Sequence, residues 1–413
     1  MMNMEYEIIR LDNGIRAVFH RQISPVTHTC LVVNAGSRDE EEGKYGVAHF
    51  IEHLLFKQTE RRSMQQILNY LEAVGGDLNA YTTKEYTCVH ASILKPHLHK
   101  ALDLFEDIIF HSTFPTDEME KEKGVIIDEM ASYRDNPEES IMDDYEDLIF
   151  KRSGLGHNIL GLEKDLLGFT KEDVQQFIHQ NYHTNDIVIG ITGDYELKTV
   201  EKMLRRYFEP VKENRPVRSR QEVFVNMSEH VELQKPINQV HFMLGAPAYS
   251  IHDDRKTGLL LLNNMLGGFG MTSILNLAVR EKYGIAYTIE SNYTLFTDTG
   301  LFTIYLGTDE EKIKRAKKIV FRELDKLKAK GVSENQLQKA KNKFKGQIAL
   351  AEENRMSMII AEAKNVMDYD RVIPLNEVFE KIDAVSASDL LSIAQDIFDE
   401  KKLTSLAFVP EME

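Results

Sequence analysis

The chain has 413 residues, 42% hydrophobic and 28% charged, which is more than one core usually supports, so at least two domains are expected. Its formal net charge of −16 argues against nucleic acid as a partner and predicts repulsion from anionic lipid surfaces. Every long apolar run is broken by charge, so no spanning helix and no membrane partner are expected. The opening residues MMNMEYEIIRLDNG lack the basic and apolar regions of a secretory signal, which makes the cytoplasm the expected compartment.

In chain order, alternating residues predict strands over Tyr6–Leu11 and, after the turn Asp12-Asn13-Gly14, Ile15–His20. A third strand is expected over His28–Ala35 and a helix from Tyr45 to Lys57. A second helix runs from Ser63, a plausible N-cap, to Val74, where Gly75-Gly76 stops it. Strands at Leu78–Thr83 and Tyr86–Leu94 follow. Next come a helix from Pro96 to Phe110 and a longer one, capped by Thr116, through Tyr133. A helix at Thr170–Asn181, a strand at Ile187–Thr192 and a helix at Glu196–Phe208 close the half. The stretch Glu209–Arg220, with its prolines and charges, reads as a linker. Beyond it strands are expected at Gln221–Glu232, Asn238–Ala246, Ala286–Thr294, Gly300–Gly307 and Thr404–Val409. Helices are expected at Arg255–Leu266, Thr272–Tyr283 and Asp309–Lys330, with more before the last strand. Both halves show the same succession of strands and helices, so a duplicated α+β unit is the economical explanation. Cys30 and Cys88 sit in apolar, strand-like segments and read as buried reduced thiols, not as metal ligands.

The chemistry concentrates in Tyr45–Phe56. Val47, Phe50, Ile51, Leu54 and Leu55 form one apolar helical stripe, and His49, Glu52 and His53 fall opposite it. Histidines at i and i+4 can share one zinc through their imidazoles. Glu52 between them can act as general base on a water that the metal acidifies. A third protein ligand is needed, and the candidates are Glu122 and Glu129, which share a face of the helix Thr116–Tyr133. The inverted order HxxEH is an inverzincin signature, although a solvated helix face could carry the same residues by chance.

The run GVAHFIEHLLF, with GGDLNAYTTKEYT (Gly75–Thr87) and EKGVIIDEM (Glu122–Met130), resembles the pitrilysin/insulinase family of zinc metallopeptidases. It looks closest to the branch of the mitochondrial processing peptidase and its two-domain bacterial relatives. The resemblance implies His49, His53 and Glu129 as ligands of one zinc per chain, Glu52 as the base, and Glu122 as a support behind the ligands. It also implies that Arg280 and Tyr287, in AVREKYGIAYTIES, bind substrate and stabilise an oxyanion. Locally, Arg280 ends a helix, Gly284 caps it and Tyr287 opens a strand; a surface arginine and a half-buried strand tyrosine are the plainer readings. Asn79 and Ala80 correspond to a strand edge that pairs with extended substrate. Leu266–Gly270 matches a glycine-containing loop, GHNILG (Gly156–Gly161) and ITGD (Ile191–Asp194) extend the likeness, and Gln58 stands where relatives have glycine.

The expected fold is therefore α+β, with two similar αβ-roll domains, each an antiparallel sheet backed by helices, of the LuxS/MPP-like metallohydrolase type. The expected boundaries are 1–210 for the zinc-binding domain, 211–220 for the linker and 221–413 for the homologous domain with the Arg/Tyr element. The family implies an endopeptidase on peptides or short unfolded polypeptides. It also implies a homodimer, because its working unit has four such domains and this chain has two. The competing readings are a non-catalytic scaffold or partner subunit and a metal hydrolase acting on other substrates. The intact His49, Glu52, His53 and Glu129 set weighs against the first, and the Asn79-Ala80 edge with Arg280/Tyr287 against the second.

Overall fold

The computed structural model describes residues 6–151, 153–215 and 220–411. The expected linker falls partly outside them, at 216–219. The first sheet contains β1 (Tyr6–Arg10), β2 (Arg16–Arg21), β3 (Val26–Val33), β4 (Asp77–Thr82), β5 (Thr87–Leu94) and β6 (Ile187–Gly193), in the order β1-β2-β6-β3-β5-β4. The second contains β7 (His230–Lys235), β8 (Val240–Ala248), β9 (Ala286–Leu295), β10 (Gly300–Thr308) and β11 (Thr404–Pro410), in the order β7-β11-β8-β10-β9. Without β1 the two orders match strand for strand, which supports the duplicated unit. The sheets are mixed and not wholly antiparallel: β2 runs parallel to β6, and β7 parallel to β11, at matching places.

The strand expected at Gln221–Glu232 is shorter and later, at His230–Lys235. Val223 and Val225 still pack on the second unit's core, but without a ladder. The helix expected at Thr272–Tyr283 is a π-helix at Asn276–Glu281, where the Lys282 N–H reaches back to the Leu277 carbonyl at 3.1 Å.

The early helices are α1 (Val47–Leu54), α2 (Met64–Glu72), α3 (Leu98–Phe110), α4 (Thr116–Arg134) and α5 (Pro137–Ile149). Ser63 and Gln66 form the capping box of α2, and Gly75, at φ 74°, follows its end. The helix α5 has no counterpart among the elements expected from the sequence. Its carboxylates obscure an apolar stripe of Ile141, Tyr145 and Ile149 at i, i+4 and i+8, opened by Pro137 after Asn136.

The described chain forms two compact units. The first gathers Met1–Met130, Asn158–Arg220 and Leu350–Ile373; the second gathers Ala131–His157, Gln221–Ala349 and Pro374–Glu413. Each is thus discontinuous in sequence, whereas the sequence reading has two consecutive blocks. In the first unit, the helix Arg355–Tyr369 covers β2, β3 and β6. In the second, α5 covers β8 and β11. Each sheet thus closes one face with a helix from the other half of the sequence. A glycine lies under each helix because the backbone must approach closely. A Cβ on Gly190 would stand 2.8 Å from Ile359, and one on Gly245 would stand 2.9 Å from the Tyr145 hydroxyl. Cys30 and Cys88 are buried free thiols, and Cys30 packs with Ile359 in this layer.

On the opposite face of the first sheet, α1 and α3 pack with β4 and β5 around Phe50, Ile51, Leu54 and Phe105, all fully buried. Each such side chain contributes about 1.5–3 kcal/mol of gross hydrophobic stabilisation. The loop Thr59–Arg62 is tied to α3, since Asp107 accepts from Thr59 at 2.9 Å and from Arg61 at 2.7 Å. Burial of Asp107 opposes its charge, but the hydrogen bonds from Arg61, Arg62 and Thr59 hold its pKa below the usual carboxylate range. That stabilisation is therefore present above the unfolded pKa and lost as pH falls through the depressed folded value.

The covering helix carries a test. Ile359→Ala should destabilise the first unit by about 3 kcal/mol, read from urea denaturation followed by the near-ultraviolet signal of its tyrosines. An unchanged midpoint would show that the helix does not hold this sheet.

Candidate metal centre

The geometry starts with how α1 is held. Glu40, itself buried, accepts the Gly46 N–H and the Ala48 N–H, both at 2.8 Å, so a carboxylate caps the helix N-terminus. Gly46 takes φ 97°, and a Cβ there would meet the Leu160 carbonyl oxygen at 2.5 Å. Gly161, at φ 75°, lies against Tyr45 so closely that a Cβ would stand 2.0 Å from its carbonyl oxygen. The GHNILG run therefore packs against the start of α1. With Val47, Phe50, Ile51 and Leu54 buried on the other face, the azimuth of His49, Glu52 and His53 is set.

The structure brings His49, His53 and Glu129 together. One ligand atom from each lies within 4.8 Å of the others, with His49 Nε2 3.8 Å and His53 Nε2 3.6 Å from Glu129 Oε2. Metal–ligand bonds of zinc set tetrahedral donors about 3.3–3.5 Å apart, so the set fits a zinc ion with little adjustment. Burial, with the neighbouring His53, pulls the His49 pKa down to about 4, which keeps its imidazole neutral as a ligand must be. Its Nδ1 is buried without a hydrogen-bond partner among the described residues. Burial opposes charge on His53, but Glu129 and Glu122 outweigh it and raise its pKa. Contact with His53 holds the Glu129 carboxyl below its ordinary range.

Glu52 lies beside this set without belonging to it. Burial raises its pKa, against the hydrogen bond that Thr82 donates to its Oε2 at 2.7 Å. Thr82 was not singled out from the sequence. The signal was strand alternation: Leu78 and Ala80 pack on the core that α1 closes, so Thr82 faces the same side. Glu122, 8% exposed, contacts His53 Nδ1 through Oε2 at 3.1 Å and Lys57 Nζ through Oε1 at 2.6 Å. Lys57 was also missed, although it is four residues after His53; the helix expected to reach it ends at Leu54, and Lys57 falls in the turn that follows. Glu52, His53, Lys57, Asn79 and Glu122 line a cavity of about 340 Å3, together with Phe56, Leu68 and Asp77.

Asn79 and Ala80 lie on β4, which among the described residues pairs with β5 alone and so forms an edge of the first sheet. The Ala80 N–H is taken by the Asn79 side-chain oxygen at 2.8 Å. Arg280 and Tyr287 belong to the second unit. Arg280 is exposed on the π-helix; its carbonyl accepts the Gly284 N–H at 2.8 Å, and Gly284 has φ 57°. Tyr287 opens β9, the edge strand of the second sheet, and donates to Asp309 at 3.1 Å. Two edge strands at matching places in the duplicated sheets thus carry Asn79 and Ala80 in the first unit and Tyr287 in the second, with Arg280 on the π-helix that precedes β9.

A mixed-sheet α+β unit with two helical imidazoles and a distal carboxylate converging on one point has a donor set that could hold a metal ion. Comparison with known proteins narrows this. Residues 17–162 match the family model described as Insulinase (Peptidase family M16), and residues 168–344 match the one described as Peptidase M16 inactive domain. The chain is 32% identical to an uncharacterized zinc protease of Bacillus subtilis, over 94% of each chain. It is 28% identical to a probable beta subunit of the mitochondrial-processing peptidase of Arabidopsis thaliana, over 98% of this chain and 78% of the other. In fold it matches a protease from Helicobacter pylori at TM-score 0.91 and 21% identity, covering 98% of this chain and all of the other. The chain belongs to the M16 (insulinase) peptidase family, and several of its relatives are named as zinc proteases.

The anchoring of α1 can be tested. Glu40→Ala leaves two buried N–H groups without their acceptor and should cost about 2 kcal/mol of stability in the first unit, measured by urea denaturation. Loss of less than a few tenths would mean that the cap carries no weight.

Proposed function

We propose that this chain is a zinc-dependent endopeptidase that hydrolyses peptides or short unfolded polypeptides. One zinc per chain is held by His49, His53 and Glu129. The observation that carries the reading is the convergence of these three donors beside the buried, Thr82-held carboxyl of Glu52. A zinc ion there supplies a Lewis acid that acidifies water and polarises a peptide carbonyl. The remaining work belongs to side chains.

Glu52 is the general base. Its raised pKa suits a group that takes a proton from the attacking water and returns it to the leaving amine. Thr82 holds the Glu52 carboxyl in place for that exchange. The edge of β4 receives the substrate as an added strand, for which the Asn79 side chain must release the Ala80 N–H. Arg280 and Tyr287 bind substrate and the oxyanion, which requires Tyr287 to leave Asp309. We propose a homodimer in which the zinc-binding half of one chain is completed by the Arg/Tyr half of the other. The intact donor set and base weigh against a purely non-catalytic subunit, even though the family model for residues 168–344 bears the word inactive. The cytoplasm is the proposed compartment, supported by the two free thiols.

Glu52→Gln should retain zinc yet lose about 10²–10⁴-fold in kcat on a fluorogenic peptide library. Equal turnover in both proteins removes Glu52 as the base. Thr82→Val should also keep its zinc and lose about tenfold in kcat.

Subunit completion has its own assay. Glu52→Gln and Tyr287→Phe chains, each inactive alone, are unfolded, mixed and refolded together. If sites are shared between chains, about a quarter of wild-type activity should return from random pairing. No recovery would place both halves of each site on one chain.

A further inference from the structure

The proposed chemistry leaves Lys57 without a task, yet its surroundings are unusual for a lysine. Its side chain is 18% exposed, and its ammonium sits 2.6 Å from Glu122 Oε1, a carboxylate only 8% exposed. The same residue lines the cavity shared by Glu52 and His53. An ordinary lysine pair stands in water and contributes little; this one is largely withdrawn from it.

The connectivity gives the pair a direction. Lys57 stands in the turn that follows α1, where its N–H closes on the Leu54 carbonyl at 3.1 Å, so the turn ties it to the end of the helix that carries His53. Both reach the same Glu122 carboxylate from opposite ends: Lys57 meets Oε1, and His53 Nδ1 meets Oε2 at 3.1 Å. A glutamate's terminal torsion is soft, so one contact alone leaves the carboxylate free to turn. Two contacts lock it. A carboxylate that faces an ammonium through one oxygen accepts through the other, so the hydrogen between Glu122 and His53 sits on Nδ1. The lone pair is then on Nε2, the nitrogen that lies 3.6 Å from Glu129.

We propose that Lys57 is a positioning residue of the metal centre: it clamps Glu122 so that Glu122 holds His53 in the tautomer and orientation that bind zinc. This rests on the reading of His49, His53 and Glu129 as the ligands. The clamp acts through Glu122 alone and touches neither zinc nor substrate.

The test measures zinc affinity of the full-length chain by competition with a chromophoric chelator, and the visible spectrum of the Co2+-substituted protein. Lys57→Met should weaken zinc binding about tenfold or more and alter the Co2+ spectrum, and Lys57→Arg should restore most of the affinity. In a Glu122→Gln background, Lys57→Met should cause no further loss, which a merely structural lysine would not reproduce. Wild-type affinity in Lys57→Met, or the same loss in both backgrounds, overturns the proposal. If Lys57→Met does not fold, Lys57→Gln is judged by the same two criteria. Undiminished zinc binding by His49→Ala would instead overturn the ligand reading beneath it, so the two failures are distinguishable.

Discussion

Everything at the metal centre depends on how one short helix is seated. The helix Val47–Leu54 has only about two turns, too few to be stable by itself in water. Its order comes from burial of Val47, Phe50, Ile51 and Leu54 on one side and from the Glu40 carboxylate at its N-terminus. The helix is also pressed against Leu160 and Gly161 at a distance only glycine permits. A rotation of the helix by one residue would carry two histidines into the core. The core thus orients the helix that carries the candidate ligands.

Around that helix the polar groups divide by depth. Glu122 and His49 are nearly sealed, whereas Glu129 is 44% exposed, so the open side of the donor set faces the solvent through Glu129. Burial alone would neutralise such groups, and its effects show in the lowered His49 and raised Glu52 pKa values. Partners work the other way: two carboxylates favour charge on His53, and His53 favours charge on Glu129. A cation entering the set would take the place of the proton that His53 and Glu129 otherwise share between them.

The duplication also has a physical meaning. Each sheet alone has two apolar faces, and the helices of its own half cover only one of them. The missing cover comes from Arg355–Tyr369 on the first sheet and from Pro137–Ile149 on the second. This exchange makes both units discontinuous. It lets neither half complete its core from its own consecutive sequence, so the chain is a single folding problem with two cores.

Local sequence carried much of this. The stripe of Val47, Phe50, Ile51 and Leu54 determined that His49, Glu52 and His53 share a face, because helical periodicity is a short-range property. The capping box at Ser63, the turn at Gly284 and the repeated order of strands and helices were legible for the same reason. Partners distant in sequence were not. Thr82 and Lys57 are 30 and 65 residues from the groups they hold, and neither distance has a signature. The carboxylate-rich stripe of α5 hid a core helix, since its buried residues are only three in thirteen. The shortened strand at His230 and the parallel pairs were decided by which backbone edges lay free once the cores had closed. The sequence by itself determined the donor types and their common helical face; the tertiary structure alone decided what holds them, because that depends on contacts made across the whole folded unit.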